Sequence, residues 1–504
     1  MRTIKIFGPP GTGKTRALTG LALKAVERYG GSRVCAITFT RAGADELKAR
    51  IALGLGLHVP SDPWQRRKAL DHALPHMGTI HSLAFKLIGR PPVMQRKHFQ
   101  EFAGMRTAGL PDSDELEGYE WSTPSKDGTQ AALAVHAMAR HRLLPFDEAY
   151  RTAPWSYAGP SVSLDQAQKI ALDYEDYKRS KALIDFEDML LLGSHEYPEV
   201  DVLLADEVQD NSPLLWTLVD TWSAGKDTAL AGDPYQAIYI FSGASPSLFM
   251  DHPGELVRLG DSHRLTPHAS DFAQGILARA GYQRGEWLGS WTGLGSGEAA
   301  EGTEFYLART ARLLGPVYDQ LQAEGRPYGH LRGGGPLQSR QANAFRTIIE
   351  LRERGSAPVG AISQLAQAMD KGWLPASEKT RLSRAARADP ESRVALEDVC
   401  NMWDVSPERL SYGLALGDYF RSVLAHHGKA AFVLTPATLV GTIHAAKGKE
   451  ADRVHLVESW GTLPYKNITA GMAREEACVA YVGATRHRSR LYLEPAMEGY
   501  PYPW

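Results

Sequence analysis

The residues best placed to do chemistry in this 504-residue chain fall in two short stretches. In "LLADEVQDNSP", residues 203–213, Asp206, Glu207, Gln209 and Asp210 stand hard against the end of an apolar run. Carboxylates gathered at the end of a buried strand call for a positive partner, and a metal ion carrying its own ligand is the natural one. The second stretch is "GPPGTGKT", in which Gly8, Pro9, Pro10, Gly11, Thr12, Gly13, Lys14 and Thr15 fit G-x-x-x-x-G-K-[ST]. Glycines at this spacing let backbone N–H groups converge on phosphate, and the following helix N-terminus adds positive potential. Lys14 then reaches the β- and γ-phosphates and Thr15 ligates Mg²⁺. Asp206 would hold the same ion directly or through water, and Glu207 would orient and deprotonate an attacking water. A plainer reading, acids enriched ahead of a helix that starts at Asn211-Ser212-Pro213, leaves the Asp206–Glu207 pair at a strand end unexplained.

The elements around these residues suit the task. "IKIF" is a short apolar strand ahead of the glycine loop, and Leu18, Leu21, Ala22, Ala25 and Val26 recur at helical spacing until Gly30-Gly31. "VDVLLADE" is apolar on both faces, as a central parallel strand should be. In the second half, "ELVRL", "EFYLAR", "TLVGTI", "RVHLV" and "RLYLE" alternate with helical patterns, which predicts a parallel sheet there too. Residues 340–432 are mainly helical in composition, and "GHLRGGGPLQS" (329–339) is a glycine-rich joint.

The chain is too long for one ordinary core, so two to four domains are expected. Its composition, 43% apolar and 23% charged with a net charge of −2, is that of a globular protein with no overall basicity; a polyanion would need a local groove. Cys35, Cys400 and Cys478 lie far apart with no CxxC pair, which argues against a zinc site or a disulfide framework and fits a reducing cytoplasm. No apolar run approaches a membrane span, and with a strand and glycine turn at the start no signal peptide is expected.

Further segments then line up in order. "DEVQD" (206–210) resembles the DExQD box of superfamily 1 helicases, and "AGDPYQAIYIFSGA" (231–244) is similar to their GDxxQxIYxxxGA motif. "TFTRAGADELKAR" (38–50), "GTIHSLAFKLI" (78–88), "GTIHAAKGKEADRVHLV" (441–457) and "EEACVAYVGATRHR" (475–488) resemble further motifs of the same group. The group is the UvrD/Rep/PcrA-like DNA helicases, and the resemblance covers roughly two-thirds of the chain. It implies two RecA-like P-loop NTPase domains with ATP in the cleft between them, each interrupted by a mainly helical insertion. The first motor domain is expected at 1–88 and 165–248 with its insertion at 89–164. The second is expected at 249–332 and 434–504 with its insertion at 333–433. The two insertions match none of the quoted motifs.

The resemblance also assigns roles. Arg264 and Arg486 would reach the γ-phosphate from the second domain, Gln236 would sense it from the first, and Glu450 would bind the ribose. Arg16, His263 and Gly448 join the glycine loop among the nucleotide-binding residues. Phe39, Tyr239 and Phe241 would stack on DNA bases, and Thr40, His81 and His444 would hydrogen-bond backbone or base. The departures are Phe241 for a tryptophan, His263 for the tyrosine that stacks on adenine, and Lys449 for a leucine. Only seven residues precede Gly8, so the adenine-reading glutamine element is expected to be missing and base reading to be loose. No partner-docking extension is expected after Trp504.

The implied activity is ATP- and Mg²⁺-dependent translocation on single-stranded DNA, 3′ to 5′, with unwinding of duplex in replication, recombination or repair. The expected partners are single-stranded DNA, single/double-strand junctions and replication or repair proteins. A monomer with no membrane association is expected. The competing readings are a translocase that strips proteins from DNA with little unwinding and a nucleotide-switched DNA-binding factor. Glu207, Arg264 and Arg486 speak against the second. DEVQD and TFT disfavour an RNA helicase, and no nuclease-like carboxylate cluster follows the helicase motifs.

Overall fold

The computed structural model describes residues 2–57, 60, 62–104, 128–153, 162–283, 291–298, 302–370, 372–414, 417–432 and 435–495. The chain forms two compact units, Met1–Gly297 with Lys466–Thr485, and Glu298–Tyr465 with Arg486–Pro503.

The first unit is built on a six-stranded sheet of β1 (Thr3–Phe7), β2 (Val34–Thr38), β3 (Met77–Thr79), β4 (Val202–Asp206), β5 (Asp227–Gly232) and β6 (Glu255–Arg258), in the order β3-β2-β4-β5-β1-β6. Every pairing is parallel. All residues of β2 and β4 are buried, which is why they read as unbroken apolar runs rather than alternating ones. Register fixes the site. Thr38 lies opposite Asp206 and Phe7 opposite Gly232, so β1, β2, β4 and β5 end at one edge and deliver their loops there. The helix Lys14–Tyr29 packs Leu18, Ala22 and Ala25 against this sheet and ends at Gly30, whose φ of 86° suits only glycine well.

One strand departs from expectation. "ELVR", placed by sequence with the second-half strands, is the sixth strand of the first sheet, parallel to β1. It is an edge strand with all four residues exposed, so its apolar character does not report a second core. A two-stranded parallel pair follows, β7 (Asp261–Ser262) and β8 (Thr292–Gly293), also in the first unit.

The second unit carries a five-stranded sheet of β9 (Glu304–Ala308), β10 (Tyr328–His330), β13 (Thr438–Thr442), β14 (Ala451–Val457) and β15 (His487–Glu494), in the order β10-β13-β9-β14-β15 and again wholly parallel. Between β10 and β13 lies a helical block with its own core, including Phe345, Ile348, Ile362, Leu365, Val399 and Phe432. The block also holds an antiparallel strand pair, β11 (Ser356–Pro358) with β12 (Arg393–Ala395). The described part of 89–164 is also helical, with helices Arg96–Ala103, Gly128–Arg142 and Phe146–Arg151. Among the described residues, no helix is long and apolar enough to cross a membrane. The three cysteines are free and buried.

Candidate nucleotide and nucleic-acid site

The glycine loop leaves β1 at Phe7 and reaches the helix at Lys14. Gly11 and Gly13 adopt φ of 79° and 88°, the left-handed region that side chains disfavour. The loop is also tight. A Cβ on Gly8 would lie 2.4 Å from Thr12 Oγ1, and one on Gly11 would lie 2.5 Å from Arg264 Cβ. Lys14 is buried, and its ammonium donates to Gly8 O at 2.7 Å and Pro9 O at 3.3 Å, so the loop's own carbonyls hold it where a phosphate oxygen would compete.

Across the sheet edge, Thr15 Oγ1 donates to Asp206 Oδ2 at 2.8 Å. Burial and then the charge of Glu207 push the Asp206 carboxyl up to about 6, against the opposing pull of Thr15 and Lys14. Asp206 is buried with Glu207 half-buried beside it, and the raised Asp206 pKa marks a place where a cation would be stabilised. Its donors are hard oxygens, which is the donor set magnesium takes. The residues fit the ion: Thr15 and Asp206 would hold it.

Glu207 follows Asp206 in the left-handed region at φ 57°, an uncommon conformation for a residue with a side chain. That turn lets Glu207 N donate to Asp206 Oδ1 at 3.0 Å and swings the Glu207 carboxylate onto the Gln209 amide, which donates to it. Gln209 is fully buried. Its amide nitrogen also donates to Asp210 Oδ2 at 3.3 Å, and its carbonyl accepts from Asp233 N at 3.1 Å. One side chain thus ties the carboxylates after β4 to the end of β5.

Asp233 is a second hub. It accepts from Gln236 Nε2 at 2.8 Å, Tyr481 OH at 3.1 Å and Tyr235 N at 3.1 Å. Burial raises its pKa, partly offset by Lys14 and these donors. Gln236, expected as the phosphate sensor, is therefore buried and held in place by Asp233. Sequence reading gave Gln209, Asp233 and Tyr481 no role. Gln209 and Asp233 sit inside the quoted motifs, and that position was the available signal; Tyr481 lies in "EEACVAYVGATRHR" but reaches Asp233 across 248 residues of chain.

His263 and Arg264 were expected on the second domain, and here they belong to the first unit. His263 N donates to Gly11 O at 3.0 Å, Ser262 Oγ donates to Pro10 O at 2.6 Å, and Arg264 Nη2 donates to Thr485 O at 2.8 Å. The backbone after β7 pairs with the glycine loop itself, which is why compactness places it there. Gly448, Glu450, Arg486 and His444 lie in the second unit. There Gly448 has φ 73°, Glu450 Oε2 accepts from Arg488 Nε at 3.1 Å, and Arg486 O accepts from Ala451 N at 3.1 Å.

Of the expected DNA contacts, Phe39 and Tyr239 are half-buried and stack on each other, ring centroids 5.5 Å apart at 28°. Neither ring is lost in the core. Thr40 has a structural duty: its hydroxyl accepts from Gly43 N at 3.2 Å and caps the helix Arg41–Gly54. His81 sits edge-on to Phe186 at 6.0 Å, and burial, with His141 adding, lowers its pKa to about 4, so it is neutral near pH 7. Phe241 falls in the short turn Ile240–Ser242, and its side chain lies outside the described residues.

Residues 1–255 match the sequence model of the UvrD/REP helicase N-terminal domain, and residues 422–497 that of the UvrD-like helicase C-terminal domain. The chain is 26% identical to the ATP-dependent DNA helicase UvrD2 of Mycobacterium tuberculosis, over 98% of this chain and 77% of that protein. It is 25% identical to the ATP-dependent DNA helicase PcrA of Leuconostoc citreum, over 60% of this chain and 40% of that protein. It is 24% identical to DNA helicase II of Haemophilus influenzae, over 60% of this chain and 41% of that protein. A glycine loop facing a DEVQD strand end, within a match that spans half the chain, leaves one conclusion: the chain belongs to the UvrD/Rep helicase family and is a helicase enzyme.

Proposed function

We propose that this chain is an ATP-dependent DNA helicase that translocates 3′ to 5′ on single-stranded DNA and unwinds duplex in replication, recombination or repair. The observation that carries the reading is one short segment. Gln236 is buried on Asp233 at the loop-bearing edge of the sheet, and Tyr239, three residues on, presents a half-buried ring stacked on Phe39. A nucleotide-dependent shift at Gln236 has a direct covalent path to an aromatic platform suited to any base.

In this reading Lys14 and the backbone of Gly8–Thr15 bind the triphosphate of ATP. Thr15 and Asp206 hold magnesium, which when bound supplies neutralising charge to the phosphates. Glu207 accepts the proton of the attacking water, oriented by Gln209. Arg264 and Arg486 stabilise charge developing on the γ-phosphate, Arg16 and His263 line the nucleotide, and Gly448 with Glu450 meets the sugar. Phe39, Tyr239 and Phe241 stack on bases, with His81 and His444 as polar contacts; the cap formed by Thr40 leaves its hydroxyl a lesser role. The two parallel sheets are read as RecA-like P-loop NTPase motors with helical insertions at 89–164 and 333–433. The strand Glu255–Arg258 extends the first motor past residue 248. A cytoplasmic monomer acting with other replication or repair proteins completes the proposal.

The test is ATP turnover with and without single-stranded DNA, run beside strand displacement on duplexes with 3′ or 5′ tails. Turnover stimulated by DNA and displacement only from 3′-tailed substrates is expected. Stimulated turnover that clears a bound protein roadblock without displacing strands would favour the protein-stripping alternative. Turnover indifferent to DNA would refute both.

A further inference from the structure

The helix Gly128–Arg142 ends in Arg140-His141-Arg142, three residues to which the assigned chemistry gives no work. Arg140 anchors the helix end in a buried ionic cluster: its guanidinium meets Asp185 at 2.8 Å and Asp188 at 3.1 Å, and Lys178 meets Asp185 at 2.8 Å. His141 Nδ1 shares a hydrogen bond of 3.0 Å with Ser212 Oγ, the hydroxyl that caps the helix directly after the DEVQD segment. Arg142 Nη2 donates to Ile240 O at 3.4 Å, in the turn that begins at Tyr239. The stem of Arg142 packs over Gly243, where a Cβ would lie 3.1 Å from Arg142 Cγ at a φ of 104°. Glu475 is the acid whose charge acts on this guanidinium, and Thr152 Oγ1 lies 3.5 Å from Nη1. Leu143 then takes the left-handed region at φ 55°, so the chain turns away and the bracket cannot extend. Independently, Ser245 N donates to Asn211 O at 3.0 Å, so the two bracketed segments already touch.

We propose that Arg142 is a positioning residue that clamps the Tyr239–Ser242 turn to the insertion helix, which His141 fastens to Ser212 just after the DEVQD segment, and so holds the Tyr239 ring where a single strand stacks. This rests on the reading of Tyr239 as a base platform. The insertion helix then takes part in strand binding without touching the strand.

The test measures the concentration of oligothymidylate that half-saturates stimulation of ATP turnover, for full-length Arg142→Met, Arg142→Lys, Tyr239→Ala and the Arg142→Met/Tyr239→Ala double variant. Methionine keeps the packed stem and removes the donors; lysine restores a charged donor group without the planar fork. Loss of part of one base's stacking predicts a rise of about tenfold for Arg142→Met. Arg142→Lys should fall between it and wild type, DNA-free turnover should stay within about twofold, and the double variant should match Tyr239→Ala alone. A rise for Tyr239→Ala with none for Arg142→Met overturns the clamp and leaves the platform reading standing. No rise for Tyr239→Ala removes the platform reading and the clamp with it. A double variant whose effects multiply, or an Arg142→Met protein that loses melting temperature and DNA-free turnover together, likewise overturns the clamp.

Discussion

Replacing Gln209 by Glu is the sharpest probe of the nucleotide site. The side chain is fully buried, and glutamate keeps its shape and can still accept from Asp233 N. What is lost is donation to Glu207 and to Asp210, and a third carboxylate arrives beside them. A hydrogen bond to a charged group contributes about 1.5–3 kcal/mol. If that orientation of Glu207 matters only when water is being deprotonated, the loss appears in kcat, as a fall of about ten- to hundredfold. The KM for ATP should move little, because no phosphate-binding group is touched. Gln209→Leu adds a second cost. It leaves Asp233 N without its acceptor, worth about 1–3 kcal/mol of stability. Steady-state ATP turnover at saturating DNA, read beside thermal melting, separates the two effects. Wild-type kcat for a folded Gln209→Glu protein would refute the role given to Gln209 and weaken that of Glu207.

Lys14→Ala should cut ATP turnover by about a thousandfold or more while nucleotide-free DNA binding persists; substantial residual stimulated turnover would remove the phosphate-loop assignment. Gly11→Ala forces a side chain into the left-handed region, costing about 1–2 kcal/mol, and drives its Cβ against Arg264, 2.5 Å away. ATP affinity measured by titration should fall about tenfold or more, and unchanged affinity would mean the loop opens freely. In the second unit, burial alone would lower the pKa of His455, but hydrogen bonds to Glu304 and Glu494 outweigh it and the pKa is raised. The imidazolium's contribution to stability is therefore complete below the ordinary histidine value of about 6.5 and is lost as pH rises through the folded pKa. Melting temperature should decline across that window, and His455→Gln should flatten the decline; an equal slope in both proteins would contradict it. The lowered pKa of Glu304 acts at the other end, its contribution being lost as pH falls through its folded value.

That Gly8–Thr15, Asp206 and Glu207 come together was legible because each motif is contiguous and sits at a strand end, so sequence order and spatial order coincide there. Partners far apart in sequence were not. Asp233 meets Tyr481 across 248 residues, and Ser262 meets Pro10 across 252. The strand Glu255–Arg258 was assigned to the wrong sheet because an apolar run states that a strand forms, not which neighbour it pairs with. The cap that Thr40 forms was legible too, since a threonine directly before a helix suits one. The parallel character of both sheets followed from strands alternating with helices, a pattern that fixes topology class more firmly than boundaries.

In the proposed function, ATP turnover drives directional movement on single-stranded DNA. The most direct measurement is strand displacement by the wild-type chain on matched duplexes with a 3′ or a 5′ single-stranded tail, with Glu207→Gln alongside. Displacement from the 3′-tailed duplex that requires ATP and vanishes in Glu207→Gln is the predicted result. Equal displacement from both tails, or displacement that survives in Glu207→Gln, would contradict it.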